Sequence, residues 1–335
     1  METLLFKASP EHYEKAVALL KQGEVVAVPT ETVYGLAANA FDTQAVRKIF
    51  SAKGRPQDNP LILHIGSFDM LYSITDDIPE LAVKLADEFW PGPLTMIFPR
   101  KSNVPSETCG GLDTAAVRMP DNTFTRTLIQ KCGFPLAAPS ANTSGLPSPT
   151  SAEHVYADMN GKIPMIIDGG ECSCGVESTV ICFSDNKIRV LRPGAVTPEM
   201  LSEYADVTVD DGVLKQLSPD EKVLSPGMKY KHYSPKAEVF IIDGTNEQFS
   251  EFIMNKYKGN NIAVLCGNES LPDGVIRLPF GTTAEEQGEN LFSSLREADR
   301  LNCNKVYVKM PDKSGFGLAV YNRLLRAAAF RVINL

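Results

Sequence analysis

The chain has 335 residues, 43% of them hydrophobic and 22% charged, which is ordinary for a globular, cytosolic protein built from two units with separate cores. Its formal net charge of −8 argues against a protein that coats nucleic acid by bulk electrostatics, so any bound phosphate must be held by a few well-placed Lys and Arg. No run approaches the ~20 apolar residues of a membrane helix, and charges interrupt METLLFKASPEHYEK too early for a secretory signal; no membrane contact and a cytoplasmic location are expected.

In chain order, Glu24–Val28, Leu61–Ile65, Leu94–Phe98, Ala115–Arg118, Met165–Asp168, Ser178–Cys182 and Ile188–Leu191 read as strands, being apolar or β-branched and bounded by Gly, Pro or Asp. Between them, Thr43–Ser51, Pro79–Trp90, Asn122–Cys132 and Ser151–Met159 carry helical spacing, with Val46, Ile49 and Phe50 on one face of the first. The pattern predicts an α/β domain over residues 1–208, a twisted mixed sheet whose Gly-, Pro- and Ser-rich connections carry function. Residues 209–236 turn polar and aperiodic, as a linker or lid does. Beyond them, strands at Glu238–Ile242, Asn261–Leu265 and Lys305–Lys309 alternate with helices near Asn246–Lys256, Thr283–Asn302 and Phe316–Phe330. Residues 237–335 are therefore expected to form a smaller α/β domain with a parallel sheet. The seven cysteines are scattered, and their one close pair, Cys172 and Cys174, lacks the usual zinc spacing; free thiols and no protein-bound metal are expected.

Five segments concentrate chemistry. PTETVYG (Pro29–Gly35) follows a strand and packs hydroxyls into a turn, which suits a small polar ligand or a plain helix cap. In KGRPQDNPLILH (Lys53–His64), Lys53 and Arg55 end a helix, where cations also serve the helix dipole. Gly54, Pro56 and Pro60 make that loop rigid, which a polyphosphate site needs and an ordinary helix end does not. His64, in an apolar run, is either a satisfied core histidine or part of that site. Arg118 closes an apolar strand in DTAAVRMP, as a bidentate carboxylate clamp or a rim salt bridge. APSANTSGLPSPT (Ala138–Thr150) can cradle phosphate through amides and hydroxyls. GVESTV and LRPGAV place Ser178 and Arg192 on neighbouring short strands. There is no GxxxxGK[ST], GxGxxG, GxSxG or HExxH motif, so the scaffold is one of the less common ones for phosphate chemistry.

The ordered series PTETVYGL, KGRPQDNPLILH, FWPGPLT, AVRMP, APSANTSGLPSPT, GVESTV and LRPGAV resembles the YrdC-like family of threonylcarbamoyl-AMP synthases over roughly residues 10–200. The KxR pair (Lys53, Arg55) and the SxN pair (Ser140, Asn142) match that family's signature. KHYSPK with the α/β unit after it is similar to the two-domain long form, so the resemblance implies a YrdC-like sheet domain followed by a Rossmann-like one.

That resemblance implies a nucleotidyltransferase: L-threonine, bicarbonate and ATP, with Mg2+ accompanying the ATP, give threonylcarbamoyl-adenylate and pyrophosphate. The product feeds formation of threonylcarbamoyladenosine next to the tRNA anticodon, through a downstream threonylcarbamoyl transferase complex, with weak tRNA contact possible. The resemblance assigns Thr32, His64, Arg118, Ser140 and Ser178 to threonine. It assigns Arg55, Asn59, Thr114, Ala138, Asn142, Ser148, Arg192 and Tyr233 to the nucleotide, with Lys53 over the phosphates and Lys53 and Arg55 as the catalytic pair. Tyr233 would bring the linker over the first domain as a lid. A rival reading is a double-stranded RNA-binding or ribosome-associated module of the same fold, against which the net charge weighs.

Overall fold

The structure is a computed structural model that describes residues 2–215, 233–256 and 261–335. Most of the expected linker over 209–236 lies outside those residues. The described chain divides into two compact units, residues 2–144 with 148–215, and residues 145–147 with 233–256 and 261–335.

The first unit is built on β1 (Leu4–Lys7), β2 (Val26–Val28), β3 (Gly35–Asn39), β4 (Ile62–His64), β5 (Leu94–Pro99), β6 (Thr114–Arg118), β7 (Leu136–Ala137), β8 (Met165–Asp168), β9 (Thr179–Ser184), β10 (Lys187–Arg192) and β11 (Val207–Val209). They form one 11-stranded sheet in the order β1-β8-β2-β3-β7-β4-β6-β5-β9-β10-β11. The sheet is mixed: β4 runs parallel to β6 and β5 to β9, whereas β2 and β3, β5 and β6, and β9 and β10 are antiparallel. The seven strands expected from the sequence are present, Met165–Asp168 with the same bounds and the others shifted at their ends; β1, β3, β7 and β11 are additions.

Alternation along the strands sorts the core onto two faces. Val25, Ala27, Leu36, Ala38 and Ile166 pack on one side and Val26, Val28, Ala37, Met165 and Ile167 on the other. Helices α1 (Tyr13–Lys21) and α4 (Thr123–Cys132) cover the second face, while α2 (Thr43–Lys53), α3 (Glu80–Phe89) and α5 (Ala152–Met159) supply the first. Two faces with helices on each make an α/β layered unit.

Helix α2 positions the site. Asp42 caps its start, accepting from the Gln44 and Ala45 amides at 2.8 and 3.3 Å, and Gly54 ends it in the left-handed region at φ 61°. Its buried face runs Val46, Ile49, Phe50, Lys53, so a lysine occupies the next core-facing position after three apolar ones. The short helix α6 (Pro198–Leu201) follows β10.

The second unit holds five parallel strands, β12 (Glu238–Asp243), β13 (Ile262–Cys266), β14 (Ile276–Pro279), β15 (Lys305–Lys309) and β16 (Val332–Asn334), in the order β14-β13-β15-β12-β16. Helices α7 (Asn246–Lys256), α8 (Ala284–Arg300) and α9 (Gly317–Ala327) connect them. This is the expected smaller parallel α/β domain with two further strands, β14 and β16. Helix α8 opens with a capping box in which the Thr283 hydroxyl accepts from the Glu286 amide and Glu286 accepts from the Thr283 amide. Thr283→Ala should lower the unit's stability by about 1 kcal/mol, read from urea melts.

Candidate functional site

Residues from distant motifs meet because β3 and the loop after β7 run alongside each other. Gly35 pairs with Ser140 in an isolated bridge, Ala141 N–H donates to Tyr34 O at 2.8 Å, and Leu36 N–H donates to Pro139 O at 2.7 Å. The PTETVYG turn is set by Thr30, whose Oγ1 accepts from the amides of Thr32 and Val33, each at 3.2 Å. Gly35 sits where this crossing is closest: a Cβ there would stand 3.3 Å from that of Ala138.

Parallel register puts His64 beside Arg118 at the ends of β4 and β6. Arg118 is 3% exposed. Its Nε donates to Gly92 O at 3.1 Å and its Nη1 to Thr32 Oγ1 at 2.8 Å, which fixes the guanidinium plane. Its Nη2 lies 2.6 Å from Glu31 Oε1 in a buried ion pair. Burial and the Arg118 charge push the His64 imidazole down to a pKa of about 3, against an upward pull from a long contact to Ile62 O, so it is neutral at working pH.

That shift has a consequence for stability. The folded value lies below the ordinary 6.5, so the folded state binds fewer protons than the unfolded chain. Stability is intact above pH 6.5 and is lost as pH falls from there towards 3, by up to about 1.4 kcal/mol per pH unit. His64→Gln should flatten this acid limb in urea melts taken between about pH 7 and 4.

Ser178 and Arg192 also meet. Arg192 donates through Nε to Ser178 O at 3.0 Å and through Nη2 to Ser178 Oγ at 3.1 Å, and Ser178 Oγ shares a proton with Thr95 Oγ1 at 2.7 Å. Gly194 permits this approach, since a Cβ there would fall 2.3 Å from Thr179 N and 2.7 Å from Ser178 C. Gly194→Ala should pry the Arg192 turn from the Ser178 strand, costing about 1–3 kcal/mol in a thermal melt together with turnover.

The KxR and SxN pairs form a third group. Lys53 Nζ donates to Ser140 O, to Asn142 O at 2.7 Å and to Asn142 Oδ1 at 3.3 Å, while Ser140 Oγ donates to the same Oδ1 at 2.6 Å. Ser144 N–H closes the ring on Lys53 O at 2.8 Å. Lys53 thus braces the Ser140–Asn142 loop. Arg55 folds over its own loop, Nη2 donating to Pro60 O at 3.1 Å. Asn59 is 2% exposed and its Oδ1 has no hydrogen-bond donor.

Ser148 donates to Glu177 beside Ser178, at 2.5 Å. Thr114 opens the strand that Arg118 closes, and Ala138 donates its amide to Ile62 O at 3.0 Å. Neither is drawn to the Arg118 cluster by a side-chain bond in the structure. Tyr233 belongs to the second unit, where its ring stacks on Phe292 with centroids 5.1 Å apart. Sequence reasoning named Glu31 only as part of a polar turn and missed its pairing with Arg118. Glu177 and Thr95 went unremarked. Among the described residues, no three His, Cys, Asp or Glu cluster as metal ligands. All seven cysteines are free thiols, and among the described residues no helix is long and apolar enough to cross a membrane.

Cations buried at strand ends of a layered sheet, among carbonyls and hydroxyls, are a feature of α/β enzymes. The Sua5/YciO/YrdC family model, described as telomere recombination, matches residues 18–194, and a model for the threonylcarbamoyl-AMP synthase C-terminal domain matches residues 196–329. A threonylcarbamoyl-AMP synthase of Pyrococcus abyssi is 45% identical over 325 residues, covering 95% of this chain and 94% of its own. One of Bacillus subtilis is 44% identical over 327 residues, covering 96% and 94%. The crystal structure of P. abyssi Sua5 complexed with L-threonine superposes with a TM-score of 0.92 at 43% identity, covering 100% of this chain and 99% of that one. The chain belongs to the Sua5/YciO/YrdC family, in its form with a C-terminal Sua5 domain.

Proposed function

We propose that this chain is a threonylcarbamoyl-AMP synthase, joining L-threonine, bicarbonate and ATP into threonylcarbamoyl-adenylate with release of pyrophosphate. This is the first step towards threonylcarbamoyladenosine in tRNA. Its full-length relatives carry that name, and the related Sua5 was crystallised with L-threonine. The RNA-binding alternative draws no support from these relatives.

The observation that carries the chemistry is Arg118, a rigid, buried guanidinium at a strand end. It takes the threonine carboxylate, while Thr32, Ser178, Ser140 and the neutral His64 read the rest of the amino acid. A neutral imidazole can donate to or accept from a hydroxyl without adding charge. On the nucleotide side we place Arg55, Asn59, Thr114, Asn142, Ser148, Arg192 and the Ala138 backbone; Tyr233 is included on the resemblance alone. The orphan Asn59 Oδ1 suits an amino donor such as adenine's. Lys53, with Arg55 and Arg192, sets positive charge where the α-phosphate develops charge as its bond to the leaving pyrophosphate breaks.

The carbamate of threonine attacks the α-phosphorus directly, and no side chain becomes adenylylated. Because carbamates lose carbon dioxide readily, buried donors that exclude water protect the intermediate. Mg2+ arrives with ATP as part of the substrate and neutralises its phosphates. A cytoplasmic location, delivery of the product to a transferase complex and weak tRNA contact complete the proposal. Mass spectrometry of the enzyme during turnover should find free threonylcarbamoyl-adenylate and an unmodified chain. An adenylylated chain would contradict direct attack.

A further inference from the structure

Glu31 has charge but no hydrogen bonds. Its side chain is 9% exposed, and both carboxylate oxygens are buried without a donor. Arg118 Nη2 stands 2.6 Å from Oε1, yet it too has no hydrogen-bonded acceptor, so the charges touch without N–H directed at oxygen. The carboxylate is not loosely placed. Cys174 N–H donates to Glu31 O at 2.8 Å, and Thr30 Oγ1 fixes the turn on the other side.

Buried groups left unsatisfied in a native site ask for an explanation, and an absent ligand is a common one. Here the missing partners are specific. Arg118 asks for an anionic acceptor, and Glu31, alongside it, asks for a cationic donor. An α-amino acid carries both groups on one carbon. We infer that Glu31 receives the α-ammonium of bound L-threonine and takes its proton, releasing the amine that attacks bicarbonate. This rests on the reading that the threonine carboxylate sits on Arg118.

The neighbouring groups leave Glu31 as the acceptor. Those that face it are Arg118 on β6 and Cys172 and Cys174 on the segment after β8, with His64 beyond Arg118. Arg118 has no proton-accepting form at working pH. Burial and the Glu31 charge push the Cys172 thiol up, so it stays neutral. His64 stands beside Arg118 on β4, with its Nδ1 turned to Ile62 O at 3.4 Å.

The step balances. One ammonium proton passes to a Glu31 oxygen, and the freed nitrogen pair forms the N–C bond to bicarbonate carbon. The C–O bond to hydroxide breaks, and hydroxide leaves as water with a second nitrogen proton. Carbamate remains, and Glu31 later returns its proton to solvent.

Glu31→Gln in the full chain tests this, with threonine affinity measured by calorimetry and kcat/KM for threonine followed from about pH 7 to 9. The variant should bind threonine about 10- to 100-fold more weakly. Its log kcat/KM should climb with pH at a slope near one, since it must now wait for threonine that has lost its proton in solution, while the parent stays flatter. The amine-free analogue 2,3-dihydroxybutanoate should bind parent and variant alike. Glu31→Asp, which keeps the charge, should restore the flatter profile and guards against a misfolded Gln variant. Unchanged threonine affinity with a parallel pH profile would overturn the proposal. So would equal loss of the analogue, which would reduce Glu31 to a prop for Arg118. A parent chain that bound no threonine is a different failure, seen before any variant is made; it sinks the substrate reading and this role with it.

Discussion

Lys53→Met should lower the rate of pyrophosphate formation by about 10²- to 10³-fold while leaving threonine affinity within a few-fold. Methionine keeps much of the stem's volume and removes the charge. The ammonium, on a residue 2% exposed, has the carbonyls of Ser140 and Asn142 and the Asn142 amide oxygen as acceptors. Without it these oxygens lose a charged donor, which costs about 1.5–3 kcal/mol and frees the loop that is to hold phosphate. The same change therefore lowers stability in a urea melt and raises the KM for ATP. Threonine is expected to be spared because Arg118, the proposed carboxylate clamp, stands on β6, braced by Gly92 and Thr32 rather than by Lys53.

The second large effect is at that clamp. Arg118→Lys should raise the threonine dissociation constant about 100-fold, because an ammonium cannot hold Gly92, Thr32 and a substrate carboxylate in one plane. Arg118→Ala should do more. It would strand the buried Glu31 carboxylate without its countercharge, at about 3–5 kcal/mol of stability. Combining Arg118→Ala with Glu31→Gln should recover part of that stability but none of the threonine binding, and a double-mutant cycle on urea melts measures the recovery. An additive result would mean that the pair is not coupled.

Much of this site was legible in the sequence, and the reasons differ from residue to residue. Lys53 declares itself on α2, where helical spacing from Val46, Ile49 and Phe50 places a lysine on the face that should be apolar. Arg118 and His64 are similarly conspicuous as polar residues closing buried strands. Glu31 gave no such signal. Its meaning comes from a partner on another strand, which local pattern cannot report, and a Glu among threonines reads as a solvated turn.

The elements missed from sequence share a cause. Strand β3, GLAAN, has small side chains and no β-branched residue, and it is a strand because β2 and β7 flank it. Strands β1 and β16 are only 4 and 3 residues long, and each exists through a parallel partner far away in the chain, β8 and β12. Helix α1 starts at His12 with no side-chain cap, so the usual start signal is missing although YEKAVALLK buries Ala16 and Leu20. Tertiary pairing, rather than propensity, decided all four.

The central claim is that ATP is consumed only to activate an amino acid already carboxylated on its nitrogen. Pyrophosphate release from ATP, measured with threonine and bicarbonate each omitted in turn, tests it most directly. The account predicts release that requires both; release at the full rate with either one absent would contradict it.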